Sequence, residues 1–99
     1  MIATMLDGLA ERAKRLCLKR GWSLEWEARG CYLHLEASEL VESLRGKGKG
    51  TPAEEAADVL FVLLSIMGGH GIGAQAVLDE LARKMAGVEA GTIGREHGA

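Results

Sequence analysis

No stretch of this chain is apolar for long enough to cross a bilayer. The longest hydrophobic run, 59–69, is interrupted by Ser65 and falls well short of the roughly 20 residues required. The amino terminus has no unbroken apolar stretch either: Asp7, Glu11, Arg12 and Lys14 stand where a signal peptide would need one, so a cytoplasmic location is expected. Cysteine is scarce. Cys17 and Cys31 read as reduced, structural thiols, and although Cys31 and His34 have the spacing of half a zinc site, no second half follows at a matching interval. There is no excess of positive charge, since 12 Lys and Arg face 14 Asp and Glu, and without it polymeric nucleic acid is excluded as a partner. Sheet-forming alternation and internal repeats are absent too.

What remains is a folded domain of 99 residues, 47% hydrophobic and 26% charged. The pattern is helical throughout. Ile2, Met5, Leu6, Leu9, Ala13 and Leu16 recur at three- and four-residue steps and predict an amphipathic helix ending near Arg20, where Gly21 can take the left-handed stop. Ser23 is a candidate N-cap for a second helix over 24–44, in which Gly30 marks a bend or break. The segment 45–50 holds three glycines and three cations and reads as a mobile basic loop. Thr51, Pro52 and Glu54 form a capping-box signature that restarts the chain as a third helix.

That third helix carries apolar residues around its whole circumference, from Val59 to Met67, so it needs neighbours on every side. A chain this short cannot supply them all. The expected architecture is therefore an all-α antiparallel helical bundle whose core is completed by homo-oligomerisation, as a homodimer or homotetramer. Gly68, Gly69, Gly71 and Gly73 should end the third helix and leave a flexible turn, and a fourth over 74–86 should bury Leu78, Leu81, Ala82 and Met85. The domain is expected to span 1–86, with 87–99 a flexible glycine-rich tail.

Two acidic pairs stand out. Glu36 and Glu39 are three residues apart, so on a helix they project from one face; Glu55 and Asp58 repeat the spacing on the next helix. A single such pair is ordinarily a solvated helix face. Two pairs on consecutive helices of a hairpin can meet across the groove, where four like charges resist ionisation until a cation joins them. Hard oxygen donors without Cys or His favour Mg²⁺ or Mn²⁺ over zinc, and Mg²⁺ shares its shell readily with phosphates. A polyphosphorylated substrate fits that chemistry.

These residues resemble the MazG-like all-α nucleoside triphosphate pyrophosphohydrolases, whose signature is Glu-x-x-Glu followed, after a variable connection, by Glu-x-x-Asp. Glu36-Ala-Ser-Glu39 and Glu55-Ala-Ala-Asp58 match it, with Leu40, Glu54, Val59 and Leu60 in the flanking positions. The resemblance covers most of the chain. Gly21-Trp22 looks like the family's upstream aromatic element, and Lys84-Met85 with Arg95 like its downstream basic one.

The resemblance implies hydrolysis of a nucleoside triphosphate between the α- and β-phosphates, giving a monophosphate and pyrophosphate. Glu36, Glu39, Glu55 and Asp58 would bind Mg²⁺, and Glu36 or Glu39 would also orient the attacking water. Lys47, Lys49 and Lys84 are candidates for pyrophosphate contacts, although the loop lysines equally suit a solubility role. In a chain with 4% aromatic residues, Trp22 is open to either base stacking or packing, whereas Trp26 is expected in the core. His34 receives no role. Two other readings stay open: a non-catalytic helical dimerisation or regulatory module, and a biosynthetic pyrophosphohydrolase acting on phosphoribosyl-ATP.

Overall fold

The computed structural model describes residues 1–93 and holds four helices: α1 (Ile2–Arg20), α2 (Trp26–Leu44), α3 (Pro52–His70) and α4 (Ala74–Ala90). The described residues contain no strand. α3 is the central element, packed along both α1 and α2, while α4 leans on α1. Residue pairs give the directions. Ala10 of α1 meets Gly68, whereas Leu16 lies by Phe61; Arg29 of α2 bonds to Ser65, whereas Glu39 lies by Glu55. α3 therefore runs antiparallel to both partners, and the fold is the expected all-α bundle.

Local chemistry sets the helix ends. Gly21 closes α1 at φ 71°, after Lys19 and Arg20 in the last turn. At the start of α3 the Glu54 N–H donates to Thr51 Oγ1 at 3.2 Å, and the Thr51 N–H donates to Glu54 Oε1 at 2.9 Å. The capping box is complete. The start of α2 differs from expectation. Its N-cap is Glu25, and Ser23 Oγ, three residues before the helix begins, instead accepts from the Glu25 N–H at 3.1 Å. Gly30 lies inside α2 without interrupting it.

Of the four glycines expected to end α3, Gly71 does so. The helix passes through Gly68 and Gly69 and stops at Gly71, at φ 68°. Gly68 is there for proximity: a Cβ would lie 2.9 Å from the Ala10 carbonyl carbon, so its hydrogen lets α1 and α3 close together. α4 begins under a long-range cap, the Ala74 N–H donating to Asp7 Oδ1 on α1 at 2.9 Å, and it runs to Ala90, four residues beyond the predicted end.

The core is thin. Ala10, Ala13, Leu64, Met67 and Ala74 form it, with Leu6 and Phe61 packed against them. The predicted buried side of α4 is not buried within one chain, for Leu81 and Met85 are 50% and 56% exposed. Trp26, expected in the core, is 70% exposed, because α2 begins at that residue and no element covers it. Cys17 is buried and Cys31 exposed, both as free thiols. No helix among the described residues is long and apolar enough to cross a membrane.

Candidate metal centre

The antiparallel setting of α2 and α3 brings the two acidic motifs face to face. Glu36, Glu39 and Glu55 each place a carboxylate oxygen so that all three lie within 4.8 Å of one another. Glu39 is close to both others, and its charge acts on the carboxyls of Glu36 and Glu55 alike. Asp58 falls outside this tight triad, yet it borders the same cavity as Glu36, and its charge acts on Glu36 and Glu55.

The electrostatics are those of acids held together without relief. Burial, then the charges of Glu39 and Asp58, push the Glu36 carboxyl above the usual carboxylate range; the same causes in the same order raise Glu55. Glu36 Oε2 and Glu55 Oε2 are buried with no hydrogen-bond partner. Native proteins seldom leave buried carboxylate oxygens unsatisfied. A hard divalent cation would satisfy both and relieve the repulsion, so the donor set fits such an ion. Glu54 behaves oppositely: the Thr51 backbone and hydroxyl hold its carboxyl below the usual range, in keeping with its capping role and outside the triad.

The connection between α2 and α3 shapes one side of the site. The expected mobile loop is a folded turn in which the N–H groups of Arg45, Lys47 and Gly48 all donate to the Glu42 carbonyl, with Gly46 at φ 73°. Gly50 lies so close to the Glu55 carboxylate that any Cβ would collide with it. The turn brings Lys47 and Lys49 to a cavity of about 410 Å³ that Glu39 and Glu55 also line.

On the other side of the triad lies a cavity of about 540 Å³, bordered by Glu36, Asp58, Trp22, Tyr32, Phe61 and Arg29. Trp22 packs edge-on against Phe61, ring centroids 6.4 Å apart, and remains 44% exposed toward this space. Of the residues singled out from the sequence, the structure thus gathers Glu36, Glu39, Glu55, Asp58, Trp22, Lys47 and Lys49 around one groove. Lys84, exposed on α4, lines none of these cavities within the chain, and Arg95 lies outside the described residues. The sequence reading missed Arg29, Tyr32 and Phe61. The first two were detectable, since Arg29, Tyr32 and Glu36 follow a helical i, i+3, i+7 stripe.

An α-helical hairpin that turns Glu-x-x-Glu and Glu-x-x-Asp toward each other defines the class of MazG-like all-α pyrophosphohydrolases. Within that class, residues 20–85 match the model of the phosphoribosyl-ATP pyrophosphohydrolase (PRA-PH) family, and the chain belongs to that family. No curated protein and no solved structure matches it. Membership supports a hydrolase acting on phosphorus anhydrides, in a family that typically depends on a divalent metal.

Proposed function

We propose that this protein hydrolyses nucleoside or deoxynucleoside triphosphates between the α- and β-phosphates, releasing a monophosphate and pyrophosphate in nucleotide-pool housecleaning. One observation carries the reading. The carboxylate triad, with its two orphaned oxygens, sits between an aromatic cavity of nucleoside size and a second cavity bearing two lysines. The first suits a base and sugar; the second suits pyrophosphate, which Lys47 and Lys49 can follow as point charges on flexible stems.

Glu36, Glu39 and Glu55, with Asp58 alongside, would hold Mg²⁺ or Mn²⁺, which when bound neutralises phosphate charge and orients the anhydride for in-line attack. Glu36 or Glu39 positions the attacking water and accepts its proton as the water oxygen bonds to phosphorus and the bridging P–O bond breaks. Trp22, half-buried at the border of the aromatic cavity, is placed to contact the base. The pool of nucleoside triphosphates places such an activity in the cytoplasm.

We further propose that the working form is a homodimer or homotetramer. The chain exposes 7366 Å², against about 5,400 Å² for a compact monomer of this mass, and leaves Leu60, Leu63, Leu81, Met85 and Val88 uncovered. A neighbouring chain is also the route by which Lys84 would reach a site.

The family's own name favours a second reading, hydrolysis of phosphoribosyl-ATP. Pyrophosphate release from ribo- and deoxyribonucleoside triphosphates and from phosphoribosyl-ATP, with and without Mg²⁺, separates the two. Mg²⁺-dependent release from common triphosphates is the expected result. Release from phosphoribosyl-ATP alone selects the biosynthetic reading, and release from none selects a non-catalytic helical module.

A further inference from the structure

The turn between α2 and α3 carries three glycines, and Gly50 is the one beside the carboxylates. Gly46 takes a positive φ, which side chains disfavour; Gly50 does not, so backbone conformation is no reason for glycine there. Space is the reason. A Cβ on Gly50 would run into Glu55 Oε1 and would stand 3.1 Å from the Glu55 carboxyl carbon and 3.4 Å from its Cγ. The three atoms nearest to that Cβ thus all belong to one side chain, a ligand of the triad. Gly50 is also half-buried, whereas the residues just before it, 44–49, are exposed.

The contact differs in kind from the one at Gly68. There a Cβ meets the backbone of α1, which cannot shift without moving a helix; at Gly50 it meets the far end of a flexible side chain. An added methyl group therefore displaces the Glu55 carboxylate and leaves the fold alone. Because the carboxyl carbon is itself too close, both oxygens move, the unpartnered Oε2 included. The cavity of about 410 Å³ that Glu55 borders is the space open to them, and Lys47 and Lys49 line it, so opposite charge draws the carboxylate that way. Glu36 borders the cavity on the other side.

We propose that Gly50 is a positioning residue for the metal centre: its bare Cα seats the Glu55 carboxylate against Glu39 and Glu36, where a divalent cation can take an oxygen from each. This rests on the triad's holding such a cation. The turn then has a task besides presenting its lysines, since it also fixes a ligand carried by the next helix. Any larger residue in place of Gly50 sends that ligand into the space proposed for pyrophosphate.

Gly50→Ala tests this, read by calorimetric titration of the metal-free chain with Mg²⁺ and with Mn²⁺. Affinity should fall by about ten- to a hundredfold, while the metal-free variant melts no lower than the parent, because alanine restricts the unfolded chain. The same substitution is then made together with Glu55→Asp, whose shorter side chain stops short of the added methyl group. Glu55→Asp weakens binding by itself, since it withdraws the ligand, but adding Gly50→Ala to it should cost less than about twofold more. A loss as large beside Glu55→Asp as in the parent, an unchanged affinity in the single variant, or a melting point that drops along with affinity overturns the positioning role and leaves the metal centre standing. If the parent itself takes up neither cation, the metal centre and the role of Gly50 fall together.

Discussion

The Glu39 charge acts on both neighbours in the triad, so it is the one whose removal changes the site most. Glu39→Gln keeps the shape and takes away a ligand. Mg²⁺ affinity should fall by about tenfold or more and turnover should be lost, while the metal-free protein melts no lower than the parent because a repulsion has gone. Titration calorimetry and thermal melting with and without Mg²⁺ check both halves. The raised pKa values of Glu36 and Glu55 fix a pH dependence as well. Folded protein binds more protons than unfolded protein between the ordinary value of 4.5 and the raised values, so metal-free stability falls as pH rises through that window. Metal must displace those protons, and apparent Mg²⁺ affinity should rise over the same range. Denaturant midpoints of the metal-free protein that climb from pH 4.5 to pH 7 would contradict this.

At the scale of the element, Gly68 is the tightest point of the α1–α3 packing. Gly68→Ala forces a methyl group against the Ala10 carbonyl, where backbone must move, and should cost about 1–3 kcal/mol in chemical denaturation. Alanine is the better helix former by about 1 kcal/mol, so an unchanged stability or a gain would remove the close approach as the reason for glycine. Thr51→Ala, which removes one hydrogen bond of the capping box, should cost about 1 kcal/mol by the same measurement. The capping box and the two acidic motifs were legible in the sequence because each is written in residues three apart within one helix. Features that depend on distant partners were not. Gly68 reads locally as a helix breaker, and only the position of Ala10 makes it a contact. Trp26 reads as core by composition, yet it opens α2 where nothing covers it. Arg29 reads as an ordinary helix charge, and its burial needs Cys17, Ser23 and Ser65 to arrive from three other segments.

For the whole molecule, the apolar surface of α3 is the test of assembly. Replacing Leu60 and Leu63 together by aspartate puts charge on a face that is 48% and 41% exposed at these residues, so one chain should still fold, though less stably. Light scattering should report a dimer or tetramer for the parent and a monomer for the double variant. A parent that elutes and scatters as a monomer at working concentration would set aside the oligomer proposal without touching the carboxylate site.

The hydrogen bond from Ala74 to Asp7 ties the start of α4 to α1. The start of α4 thus depends on a carboxylate 67 residues away in sequence, so a change at Asp7 reaches α4. Removing the Asp7 carboxylate will therefore be felt in α4, a helix that leaves Leu81, Met85 and Val88 uncovered.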